Sequence, residues 1–125
     1  MSIVGKFRIT AMDQWDEDAF DLLDPAFFSF DGKNSGRFRF IAVEGWMDCR
    51  HGTRAGKPFV EFTWDGHDER DPASGRGWAA LEADGSLTGH IFFHRGDDSG
   101  FTAIPADDMP EARADAGLKT KRSRR

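Results

Sequence analysis

The chain has 125 residues, enough for one domain with a core of its own. With 38% hydrophobic and 31% charged residues it reads as a soluble globular protein, and the absence of any run of about 18 apolar residues excludes a spanning helix. The net charge is −5, yet the last ten residues hold five basic side chains and no acid, so the rest carries 12 basic against 22 acidic residues, a net of −10 that opposes specific nucleic-acid binding.

Residues Met1 to Thr10 lack the apolar core of a secretory signal, so none is expected. Cys49 is the single cysteine and cannot form an intramolecular disulfide, which favours a reducing, cytoplasmic location.

The chain reads as a series of hairpins, with aromatic bursts separated by Gly, Asp, Asn and Pro. Gly5 to Met12 is a first strand with Phe7, Ile9 and Ala11 on one face. Asp13 to Leu23 is the one expected helix, with acids near its start and Pro25 beyond its end. Ala26 to Phe30 is a second strand, followed by a loop from Asp31-Gly32 to Gly36. Arg37 to His51 is extended, and Gly45 marks either a tight turn after Glu44 or a bulge in one bent strand. The strand count is therefore seven or eight.

Gly52 to Lys57 reads as a loop and Pro58 to Trp64 as a strand. Val60, Phe62 and Trp64 share one face of it, and Phe59, Glu61 and Thr63 the other. Asp65 to Gly77 reads as the longest internal loop. Trp78 to Ala83 and Ser86 to His94 form a hairpin around a two-residue type I′ turn at Asp84-Gly85. That turn sets Ala80 opposite Gly89 and Trp78 opposite Ile91, with Trp78, Ile91 and Phe93 in one core patch. Arg95 to Gly100 is a loop and Phe101 to Ile104 the last strand.

The domain spans residues 1–104. Residues 105–125 read as a flexible tail, basic at its end, with a short frayed helix at Met109 to Ala116. The expected fold is all-β. It is an antiparallel up-and-down meander that closes into a small barrel or a curled sheet, with one short N-terminal helix capping one end.

A Gly-x-aromatic start at Gly5-Lys6-Phe7, a short helix and a meander with Gly at strand ends resemble the calycin group of lipocalin-like barrels. That resemblance implies a small apolar ligand held in the barrel mouth. The segments Gly5 to Thr10, Asp71 to Trp78 and Gly96 to Ser99 also look like a family of small uncharacterised bacterial proteins, which implies no activity.

Alternate loops of a meander fall at the same end, so the segments 65–77 and 95–100 share one. That end collects Asp65, His67, Asp68, Glu69, Arg70, Asp71, Arg76, His94, Arg95, Asp97, Asp98 and Ser99. One reading is a polar mouth for a ligand, a metal or an acid/base pair. The plainer one is mutual neutralisation, with Arg70, Arg76 and Arg95 pairing with the aspartates. His90 and His94 stand about 13 Å apart along a strand, too far to share a metal. Cys49 and His51 stand about 7 Å apart on one face, so a half-buried thiol is preferred to a nucleophile.

The leading expectation is a binding module for a small apolar or amphipathic ligand, lined by Phe62, Trp64, Trp78 and Phe93, with His94, Asp97 and Asp98 at the mouth. No cofactor and no metal are expected. One alternative is a homodimer or other interaction domain using Phe59, Phe92 and Trp46. Another is a hydrolase or isomerase using His94 with Asp97 or Asp98 as an acid/base pair.

Overall fold

A computed structural model describes residues 2–106. Eight strands run in chain order around a closed antiparallel barrel: β1 Val4–Met12, β2 Phe27–Asp31, β3 Ser35–Phe40, β4 Val43–Arg54, β5 Lys57–Asp68, β6 Asp71–Leu81, β7 Leu87–Phe93 and β8 Asp98–Pro105. Closure comes from β1, which pairs with β2 on one side and β8 on the other and so leaves no free edge. The eight-strand closed meander is the barrel alternative of the expected fold, and it is compatible with a lipocalin-like layout. The expected tail and the helix at Met109 to Ala116 lie outside the described residues.

Inward positions are filled mainly by rings. Phe28 stacks on Phe101 at 4.3 Å, Phe38 meets Trp64 edge-on at 5.0 Å, and Trp64 meets Phe93 at 5.3 Å. Aromatic contacts of this kind add specific geometry to the burial that stabilises the core. Phe28, Phe38, Phe40, Ile91 and Leu87 are fully buried.

Several boundaries differ from the sequence expectation. The expected helix shrinks to α1, Glu17–Phe20, because the flanking segments are held elsewhere. Asp13 N–H donates to the Gly100 carbonyl and Gln14 N–H to Ser99 Oγ, which keep the chain extended. Asp16 caps the helix late, accepting from Ala19 N–H, and Asp21 Oδ1 accepts from Ala26 N–H to end it. In β1 a bulge between Ile9 and Ala11 turns Ala11 outward and Met12 inward.

The turn after β3 falls at Ile41-Ala42, so Gly45 is neither a turn nor a bulge but a regularly paired residue inside β4. A side chain there would run into the Phe38 ring. Ile41 takes a φ of 56°, an uncommon conformation for a β-branched residue. It is held by a bond from its N–H to the Phe20 carbonyl, while Ala42 accepts from Glu69 N–H.

The expected loop at Gly52 to Lys57 is only a two-residue turn, Ala55-Gly56, both at positive φ. The expected long loop from Asp65 to Gly77 is absent too. β5 and β6 stay paired from Phe59↔Ala80 to Asp68↔Asp71, with a turn at Glu69-Arg70. Its inward positions are Gly66, Ala73, Gly75 and Gly77, and at the three glycines neighbouring backbone and rings occupy the space a side chain would need. The absence of large apolar side chains at those positions made this hairpin look like a loop.

The hairpin between β6 and β7 has a three-residue loop. Glu82 N–H donates to Ser86 O, Gly85 N–H donates to Glu82 O, and Gly85 alone takes the positive φ, 90°. The register becomes Ala79↔Gly89 and Trp78↔His90, one residue from the expectation. That slip reverses every side chain on β6, so Trp78 lies outside the barrel, stacked on Phe59 at 5.7 Å.

Candidate functional site

The up-and-down order brings four connections to one end: the α1 segment between β1 and β2, the turn at Ile41, the turn at Glu69 and the loop after Phe93. The segments around Glu69 and Arg95 do share this end, as meander geometry requires. Between them lies a cleft of about 450 Å3. Trp15, Phe40 and Phe93 give it an aromatic floor, with Trp15 and Phe40 at 5.5 Å and Phe40 and Phe93 at 6.0 Å. Asp68, Asp71, His94 and Asp97 stand on its rim, and Ala73 lines its wall.

Of the residues expected at a ligand site, the structure brings Phe93, His94 and Asp97 together here. Phe62 and Trp64 lie deeper in the packed core, 3% and 4% exposed, and Trp64 Nε1 donates to the Phe92 carbonyl at 3.3 Å. Trp78 is outside, on a separate cleft of about 350 Å3 with Arg50, Arg54 and Arg76. Asp98 turns to the outer surface, where it meets His90 Nε2 at 2.5 Å. Trp15 and Ile41 lie in segments whose local pattern gives no sign that they meet at this mouth.

The acid/base reading depends on a His94–carboxylate contact. Among the described residues, the histidine that meets Asp98 is His90, and His94 makes no ion pair. The expected pairing of Arg70, Arg76 and Arg95 with aspartates is absent among the described residues. The ordered β5–β6 hairpin sets Arg76 on the outer face, beside Thr63 and over the Phe92 ring at 4.1 Å. Ser99 is buried; its Oγ donates to Gly100 O and accepts from Gln14 N–H, a tie between the α1 segment and β8. No group of three or more His, Cys, Asp or Glu among the described residues is placed to hold a metal.

Cys49 is 2% exposed in the barrel wall. Burial, reinforced by the charges of Asp31 and Asp48, pushes its thiol up to about 11. A thiol so placed stays protonated near neutrality and makes a poor nucleophile.

The outer aromatics are covered by basic side chains. Arg54 lies 3.9 Å over Phe59, Arg76 covers Phe92, and Arg37 stands 5.9 Å from both Phe27 and Trp46. Glu44 gathers Arg37 at 2.8 Å, Arg39 at 3.4 Å and His67 at 3.6 Å on the same face. Trp46 keeps 44% of its surface open. Among the described residues no helix is long and apolar enough to cross a membrane.

Comparison of the chain with known protein families, with curated proteins and with solved structures gives no match.

Proposed function

We propose that this protein is a small-molecule binding module that takes a neutral or amphipathic ligand in the barrel mouth. The observation that carries this reading is the cleft of about 450 Å3, with rings on its floor and three carboxylates and a histidine on its rim. A pocket of this size, mostly apolar with a few convergent polar groups, has the usual anatomy of a ligand site. The ligand sits above the Phe40–Phe93 layer, because the interior below is occupied by the Phe28, Phe38 and Trp64 rings. The resemblance to lipocalin-like barrels points the same way, since those barrels bind apolar ligands at the mouth. A cytoplasmic setting suits a chain with one buried free thiol.

The test uses N-phenyl-1-naphthylamine, an uncharged apolar fluorophore. The wild-type chain is expected to enhance its emission while its own tryptophan emission falls, through Trp15. Ala73→Phe puts a ring into the mouth and is expected to weaken binding by about tenfold or more, with the fold retained by circular dichroism. A wild-type chain that leaves the probe dark, or an Ala73→Phe variant that binds it equally well, sinks the reading.

A further inference from the structure

We infer that the outer face of the barrel carries a second site, an anion pocket built by Arg76 and Arg95 with Thr63, Ser74 and His94, which takes the phosphate of a small ring-bearing ligand. The ladder places these groups together. Thr63 pairs with Arg76, Arg76 pairs with Phe92, and His94 N–H donates to the Ser74 carbonyl at 2.7 Å. Paired residues of an antiparallel sheet share a face, so Thr63, Ser74 and Arg76 project outward, and His94, just past the end of β7, stands between this pocket and the mouth. They surround a pocket of about 410 Å3.

Charge distinguishes this pocket from the rest of the surface. The chain outside its last ten residues is strongly acidic, and the mouth carries three aspartates. The pocket at Arg76 is lined by two arginines and a histidine and by no carboxylate. Among the described residues, Arg8, Arg37, Arg39, Arg50 and Arg54 are ion-paired, whereas Arg70, Arg76 and Arg95 are not, and of these three Arg76 and Arg95 line this pocket. Arg76 is also preorganised: its guanidinium lies 4.1 Å over the Phe92 ring. Stacking fixes the plane of the fork and leaves its N–H edge free to bind two oxygens of one phosphate. Thr63 and Ser74 hydroxyls supply further donors.

The space continues past Ser74 and His94 into a shallow cleft of about 600 Å3 that holds Trp46 and Asp65. Trp46, Asp65 and Ser74 are successive partners across β4, β5 and β6. Trp46 therefore stands two strands across and two residues along from Arg76, about 12 Å away between backbones. A nucleoside monophosphate spans that gap, with its base on the open indole face, its sugar hydroxyls toward Asp65 and its phosphate between the arginines.

The test is calorimetric titration of the full chain at low salt with adenosine 5′-monophosphate, adenosine and inorganic phosphate. The nucleotide is expected to bind, adenosine to bind at least roughly tenfold more weakly, and phosphate to compete. Arg76→Gln and Arg95→Gln are each expected to weaken the nucleotide about tenfold, with melting temperature and uptake of the uncharged fluorophore unchanged. Trp46→Leu is expected to weaken the nucleotide and leave phosphate unaffected. Absence of nucleotide binding, equal binding of adenosine, or wild-type affinity in both arginine variants overturns the site. Phosphate binding as tight as the nucleotide, with no effect of Trp46→Leu, overturns the ring-bearing class. Ser74 and His94 border both pockets, but Arg76 and Arg95 do not line the mouth, so the arginine variants together with the uncharged fluorophore tell failure of one site from failure of the other.

Discussion

Trp78 stands directly opposite His90 in the β6–β7 ladder, and this pairing decides which rings the barrel encloses. With Trp78 outside, the inward residues of these strands include Gly77, Ala79, Leu87, Gly89 and Ile91, small enough in part to admit the Phe62 and Phe101 rings. The register is set by the three-residue loop, in which Gly85 holds a φ of 90°. Gly85→Val is therefore expected to destabilise the fold by more than about 1 kcal/mol, because a β-branched residue resists positive φ. Gly85→Asn should cost less, since Asn tolerates that region. Urea unfolding of the three proteins checks the order, and a neutral Val variant would refute this account of the turn.

The same hairpin shows what the sequence could carry. Alternation at Val60, Phe62 and Trp64, and at Phe7 and Ile9, was enough to give strands, faces and an all-β class, and the meander rule then placed the segments around Glu69 and Arg95 at one end. The Asp84-Gly85 signal located a turn but not its length, and one residue of length reverses a face. The β5–β6 hairpin was illegible for a different reason: Gly66, Ala73, Gly75 and Gly77 carry no apolar signal. At the mouth, Phe93, His94 and Asp97 were legible because they lie on one connection. Trp15 and Phe40 were not, because they arrive from segments far apart in the chain.

Glycines along β4 differ in what they tolerate. A Cβ on Gly45 would stand 2.5 Å from Phe38 Cε2 and 3.0 Å from Trp64 Cε3, whereas one on Gly52 meets nothing within 4 Å. Gly45→Ala is expected to cost about 1–3 kcal/mol, through overpacking against rings that have no room to move. Gly52→Ala should be neutral or stabilising by up to about 1 kcal/mol, because it removes freedom from the unfolded chain. Paired denaturation curves decide this, and equal effects at the two sites would contradict the packing described.

Acid should loosen the end of the barrel opposite the mouth first. Asp31 accepts backbone N–H bonds from Lys33 and Ser35, and Asp84 accepts from the Ser86 hydroxyl and N–H, and these bonds hold both carboxyls below their ordinary range. Glu82 is likewise lowered, by Lys57 and Thr88. A lowered folded pKa gives stability that is present above the unfolded value, near 4, and is lost as pH falls through the folded value. Melting temperature should therefore drop below about pH 4, and the Asp31→Asn, Asp84→Asn double variant should show a shallower drop. An unchanged acid slope in that variant would remove these turns from the explanation.

Base acts through Cys49. Its thiol is raised to about 11 by burial first and by the Asp31 and Asp48 charges second. A group that keeps its proton in the fold contributes stability that is full below the unfolded thiol value, about 8.5, and is lost as pH rises toward the folded one. Stability should thus decline between about pH 9 and 11, and Cys49→Ala, although less stable at neutral pH through the atoms it removes, should lack that part of the decline. In the native protein, iodoacetamide should label Cys49 much more slowly at pH 8 than it labels the urea-unfolded chain, because both the thiolate fraction and access are reduced. Equal labelling rates in the two states would mean that the β4 wall opens readily, and the packed Phe62 ring paired opposite Cys49 would then not be the barrier it is taken to be.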